Sequence, residues 1–180
     1  FVPEVYQTVV DGIVEAIIQA DASTRPAHLK MDNGEFPPEV DVAFNRSVKA
    51  YNANPEVEKV PKNKTELAVN REMDLLRIED ENGNPFASIN WFGVHTTSIS
   101  NDNTKISSDN KGFASKFLEE KISSETGEGF LGAFAQSAAG DVTPNYIWDK
   151  KKKWTRGKFP DDFESAKYNG KLQFEKALEI

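Results

Sequence analysis

Few side chains in this sequence of 180 residues have both a type and a setting suited to catalysis. His95 closes the apolar run Ile89-Asn90-Trp91-Phe92-Gly93-Val94, where a buried strand opens into a polar loop. Sites are often built at such strand ends, because the scaffold fixes the backbone while the loop admits a substrate. A neutral imidazole there can ligate zinc, although a lone histidine is also commonly structural. The other histidine, His28, lies in a Pro-rich stretch and reads as an exposed turn residue. Arg46, in Asn45-Arg46-Ser47, follows an apolar run. Its charge survives burial, so it could clamp a developing oxyanion or a polar head group, or equally form a structural ion pair. The segment Ala138-Ala139-Gly140-Asp141-Val142-Thr143-Pro144-Asn145 combines small residues, an acid and a hydroxyl. Small residues permit close backbone approach and Pro144 fixes the conformation that presents Thr143. A tight turn in which Asp141 or Asn145 caps a helix fits the same composition. No HExxH pair is present, and a catalytic zinc normally has three protein ligands and an open position, so spacing alone defines no metal site.

These residues need a scaffold, and the hydrophobic pattern supplies one. Val9, Ile13, Ala16, Ile17 and Ala20 recur at helical spacing from Pro3 to about Ala20, predicting a helix packed on one face, with Glu4 in its first turn to complement the dipole. Residues 23–38, rich in Pro, Asp, Asn and Gly, predict an irregular stretch. Val40 to Phe44 alternates as a half-buried strand, and residues 52–64, with Pro55 and Pro61, read as a surface connection. Met73 to Glu79 and Phe86 to Val94 read as strands joined by the turn Glu81-Asn82-Gly83-Asn84-Pro85, predicting a hairpin. Trp91 to His95 is expected to run as an interior strand with His95 at its end. A helix from about Lys111 to Ile122 places Phe113, Phe117 and Leu118 on one face. Phe130 to Phe134 reads as a short strand, and a last helix covers about Phe163 to Ile180. Strands and helices interleave without a regular βαβ rhythm, so the expected class is α/β, a mixed sheet with packed helices.

Composition narrows the partners. A net charge of −7 argues against nucleic acid, whose phosphates call for clustered Lys and Arg. The one basic cluster, Lys150 to Lys153, is flanked by Trp148 and Trp154. It suits either a solvated loop or peripheral contact with an anionic lipid surface. No run approaches the roughly 18 to 20 apolar residues of a membrane span. Cysteine is absent, which excludes disulfides and thiolate metal sites. Phe1 is not an initiator Met and a helix is expected almost at once, so the chain is read as lacking an upstream segment. Asn45-Arg46-Ser47 and Asn63-Lys64-Thr65 also match the N-glycosylation acceptor pattern.

Four segments, in order, resemble the neutral, non-lysosomal ceramidase family. They are Asn45-Arg46-Ser47 with Ala50-Tyr51 and Asn54-Pro55, Trp91-Phe92-Gly93-Val94-His95-Thr96-Thr97-Ser98, Ser108-Asp109-Asn110-Lys111-Gly112-Phe113-Ala114, and Gly140-Asp141-Val142-Thr143-Pro144-Asn145. The resemblance implies a zinc-dependent amidase that cleaves the N-acyl bond of ceramide to a sphingoid base and a fatty acid. It implies that His95 is a zinc ligand, that Arg46 stabilises the tetrahedral oxyanion, and that Thr143 orients water or the amide. Thr143 stands where the family has a serine. The added methyl stiffens the side chain and crowds an incoming carbonyl, which favours a hydrogen-bonding role over direct attack. The family's other zinc ligands, in a His-Thr-His-Ser-Gly-Pro segment and a later glutamate and tyrosine, are expected outside residues 1–180. These residues are then part of a catalytic domain that the remainder of a parent chain completes. The resemblance further implies a secreted, periplasmic or cell-surface setting. Two rival readings are an amidase for another N-acyl lipid and a non-catalytic lipid-binding or interaction module.

Overall fold

The hairpin predicted around Asn82-Gly83-Asn84 is the centre of the fold. Strand β3 (Glu72–Glu79) pairs antiparallel with β4 (Pro85–Phe92), with Leu75 opposite Asn90 and Leu76 opposite Ile89. Asp80 Oδ1 closes the turn by accepting from the backbone N–H groups of Asn82 and Asn84, both at 2.9 Å. In this computed structural model, which describes residues 2–180, β1 (His28–Glu35) pairs antiparallel with β3 and β5 (Leu131–Gln136) pairs parallel with β4. The sheet is therefore mixed, in the order β1-β3-β4-β5, and the class is α/β as expected. The parallel step needs a crossover, which α3 (Asp109–Thr126) provides. Helix α4 (Asp162–Glu179) lies beside α3, with Phe117 and Phe174 meeting at 5.9 Å between ring centroids.

Both helices cover one face of the sheet. Met73, Leu75 and Phe92 from that face, Leu118 of α3 and Ala177 of α4 form the core, joined by Phe36, Val42, Val94, Ala139 and Val142 from the loops. The remaining elements are α1 (Pro3–Ala22), a two-residue strand β2 (Phe44–Asn45), the single turn α2 (Val48–Tyr51), β6 (Val142–Thr143), and the hairpin β7 (Ile147–Asp149) with β8 (Trp154–Arg156).

Four sequence expectations are corrected. The predicted irregular stretch 23–38 contains β1, which pairs along its whole length with β3, so eight ladder partners override its Asp-Asn-Gly turn chemistry. Val40 to Val42 is not a strand. The buried guanidinium of Arg71 takes the carbonyls of Phe36 (2.8 Å), Pro37 (2.7 Å) and Val40 (2.7 Å), leaving only Phe44 and Asn45 to pair. Burial lowers the pKa of Arg71, with Glu35 and Glu66 opposing that shift. The helix α1 forms with Pro3 in its first turn, but none of its residues is buried; its apolar stripe has no covering surface among the described residues. Finally, β4 ends at Phe92, so Gly93, Val94 and His95 leave the ladder rather than extending it.

Candidate active site

Strand β6 is where the chemistry-bearing residues meet. It pairs with β2, placing Phe44 opposite Thr143 and Asn45 opposite Val142 across nearly a hundred residues of chain. The backbone N–H of Arg46 continues the pairing to Asp141 O at 2.8 Å, and its Nη2 donates to Gly140 O at 3.3 Å. His95 reaches the same strand from the other side, its ring Nδ1 lying 2.7 Å from Val142 O. Arg46, His95 and Thr143 are thus gathered around four consecutive residues, Gly140 to Thr143.

Each is held by its neighbours. Asn45 is buried and spends its amide on Ala68 O (2.9 Å) and its Oδ1 on the N–H of Ser47 (2.6 Å), which pins Arg46 between them. That engagement also removes Asn45 from consideration as a glycan acceptor. Arg46 is exposed and makes no ion pair among the described residues, so the structural ion-pair alternative is not realised and most of its donors are free. Thr143 is buried, and its Oγ1 accepts from Asn145 N–H at 3.1 Å, leaving the hydroxyl proton available to donate. Tyr146 stacks on Phe44 at 4.1 Å and donates to Asp41 Oδ2 at 2.8 Å. Burial and the Asp41 carboxylate raise the pKa of its phenol, so it stays protonated.

The hydrogen bond of His95 fixes its tautomer. A carbonyl can only accept, so Nδ1 carries a proton, and in the neutral ring Nε2 is then the nitrogen with the lone pair. This is the outer-shell arrangement of metal-ligating histidines, in which the second ring nitrogen donates to a carbonyl or carboxylate. The residue therefore fits one position of a zinc site. No group of three His, Cys, Asp or Glu able to hold a metal occurs among the described residues, so a zinc held by His95 would need ligands beyond these. His28 heads β1 on the exposed edge of the sheet, as a bystander.

A cleft of ≈ 530 Å³ is lined by Asn45, Gly140, Asp141 and Val142, together with Tyr51 and Asn70. A second cavity of ≈ 540 Å³, walled by Leu75, Leu118, Ile122 and Phe130 with Lys30 and Arg77 at its margin, lies toward the opposite end of β4.

The sequence pattern described as "Neutral/alkaline non-lysosomal ceramidase, N-terminal" matches residues 1–180. The chain belongs to that family. Relatives include neutral ceramidase A of Dictyostelium discoideum, 41% identical over 93% of this chain and 23% of its own, and the neutral ceramidase of Pseudomonas aeruginosa, 36% identical over 100% of this chain and 25% of its own. The crystal structure of the Pseudomonas aeruginosa neutral ceramidase superposes on the whole chain with a TM-score of 0.82 at 34% identity. A structure described as a ceramidase complexed with C2 gives 0.83. Both matches cover 26% of the solved chain, so this ceramidase-family chain spans about a quarter of the length of the relatives it matches.

Two groups of the ceramidase fold escaped the sequence reading as functional parts. Arg71 shapes the arm that ends in Arg46, and nothing in its sequence setting marks it. Asp109-Asn110-Lys111 lay within a family-like segment, but its role needed the loop that it faces.

Proposed function

We propose that this chain is part of the catalytic domain of a zinc-dependent amidase that hydrolyses the N-acyl bond of ceramide. The observation that carries the reading is the Nδ1–H donation of His95 to Val142 O, which ties the ring to the strand that carries Thr143 and leaves Nε2 to face a metal. When bound, zinc supplies Lewis acidity at the amide carbonyl. Arg46 contributes free, permanently charged donors for the oxygen of the tetrahedral species. Thr143, with its oxygen engaged by Asn145 N–H, donates its own proton and so orients the water or the amide. In hydrolysis the water oxygen bonds to the carbonyl carbon, the C–N bond breaks, and the leaving nitrogen takes a proton. The products are a fatty acid and a sphingoid base.

The rest of the zinc shell, and the covering for α1, come from residues of the parent protein outside 1–180. No helix among the described residues is long and apolar enough to cross a membrane. The β7–β8 hairpin carries Lys150 to Lys153 at its tip and exposes Trp148 and Trp154 on opposite faces, which suits peripheral contact with anionic lipid. The setting follows the family resemblance: secreted, periplasmic or cell-surface. The test is to assay the zinc-loaded parent protein against ceramide and against N-acyl amides lacking the sphingoid base. Preferential ceramide turnover supports the reading. Turnover of the simpler amides alone indicates another N-acyl lipid, and binding without turnover indicates a lipid-binding module.

A further inference from the structure

Asp109, Asn110 and Lys111 open α3 with three consecutive polar side chains that are nearly or wholly buried, at 5, 0 and 8% exposure. Polar groups in such positions are costly unless each finds a partner, and apolar residues would start the helix as well. Their partners are specific. The Asp109 carboxylate accepts from the backbone N–H groups of Ser98 (3.2 Å) and Ile99 (2.8 Å). Asn110 Nδ2 donates to His95 O at 3.0 Å and to Ser98 Oγ at 3.2 Å. Lys111 Nζ donates to Phe92 O at 2.8 Å. All three side chains thus fasten one loop, residues 92–99, and Asn110 holds the carbonyl of His95 itself.

We propose that Asp109-Asn110-Lys111 is a positioning clamp that sets where His95 presents its free ring nitrogen. The inference rests on the reading of His95 as a zinc ligand and adds to it the residues that aim the ligand.

Three further observations support the clamp. Asp109 has φ 52°, a left-handed conformation unusual for a residue with a side chain and typical of sites where surrounding contacts dictate the backbone. Helix α4 braces the clamp from behind. Gln173, fully buried, accepts from Lys111 Nζ at 2.8 Å and donates to Asn110 Oδ1 at 3.3 Å and Asn169 Oδ1 at 2.9 Å, while Asn169 donates to Val42 O at 2.7 Å. One connected network therefore ties the His95 loop to the arm that carries Arg46. The helices approach closely enough for this because residue 170 is glycine: a Cβ there would lie 2.6 Å from Asn110 O. On the loop side, a Cβ at Gly93 would lie 2.4 Å from Ala138 O, so the loop is pressed onto the segment leading into β6.

The test uses the parent protein with Asn110→Leu, His95→Ala and, as a stability control, Leu118→Ala, which empties a core position on the same helix away from the loop. Zinc affinity is measured by chelator competition, beside Tm. Separately, amide exchange of residues 95–99 is followed in the metal-free protein. The clamp predicts that Asn110→Leu weakens zinc binding about tenfold to a hundredfold and speeds exchange of 95–99 at least tenfold, while Leu118→Ala, at a similar loss of Tm, does neither. Unchanged affinity in Asn110→Leu, with His95→Ala losing zinc, overturns the clamp and leaves the ligand reading standing. Unchanged affinity in His95→Ala overturns the ligand reading, and with it a clamp that aims a ligand. Should Asn110→Leu fail to fold, Ser98→Ala, which deletes one anchor, must speed exchange of 95–99 and weaken zinc binding measurably; parental values for both overturn the proposal.

Discussion

The two faces of the four-stranded sheet are built from the same strands and meet opposite fates. On one, Met73 and Leu75 of β3 and Phe92 of β4 are buried beneath α3 and α4, with Gly34 of β1 receiving the end of α4 at Ile180. On the other, the register aligns Leu29 with Ile78 and Met31 with Leu76, and Leu76 with Ile89. That row is equally apolar, yet Leu29, Met31 and Leu131 are exposed by 65, 66 and 63%. Helix α1 shares the second condition, with Val9, Ile13 and Ile17 all more than half exposed. Apolar surface of this extent is a contact surface waiting for a layer, whereas the covered face already holds the elements that aim His95.

The difference is sharpest in stability. Phe92→Ala, at a fully buried position, should cost about 3–5 kcal/mol in chemical denaturation, and Leu29→Ala in residues 1–180 should change stability by less than about 0.5 kcal/mol. In the parent protein Leu29→Ala should cost several times more if the remainder of the chain covers this face; an equally small effect there would break the comparison.

Lys111 gives the covered face a pH signature. Burial without a carboxylate partner lowers its pKa from 10.5 to about 7. Between those values the unfolded chain binds the proton and the folded chain does not. The Lys111 contribution to stability therefore rises with pH from about 7 to about 10.5, by up to ~1.4 kcal/mol per unit. Below pH 7 both states are protonated and the penalty is constant. Subtracting the stability–pH curve of Lys111→Met from that of the unaltered chain should isolate this slope; superimposable curves would contradict the burial.

The open face should answer to charge instead. Leu29→Lys with Met31→Lys in residues 1–180 should reduce aggregation in light scattering while shifting stability by no more than about 0.5 kcal/mol. Unchanged scattering would place the sticky surface elsewhere, with α1 the next element to alter.

The covered face was also the more legible in sequence. The β3–β4 hairpin, α3 and α4 announce themselves through turn chemistry and apolar spacing, because each is stabilised largely by neighbours close in sequence. Strand β1 does not, since its Asp32-Asn33-Gly34 is made a strand only by β3. Val40 to Val42 alternates like a strand, but Arg71, thirty residues on, claims its carbonyls. The site divides likewise. His95, Arg46 and Thr143 were found through segments that resemble a family, and no spacing could have shown that β2 and β6 bring them together. The clamp residues stood in such a segment too, yet their role depends on a loop ten residues earlier and a helix sixty residues later.

The central claim is that His95 is one ligand of a zinc site that residues 1–180 share with the rest of the parent protein. It is tested most directly by the zinc content, after dialysis against trace zinc, of the parent protein, its His95→Ala variant and residues 1–180 alone, each assayed for ceramide turnover. The account predicts about one equivalent with turnover for the parent, and loss of both in His95→Ala and in residues 1–180. Full zinc and turnover in His95→Ala, or one equivalent with turnover in residues 1–180 alone, would contradict it.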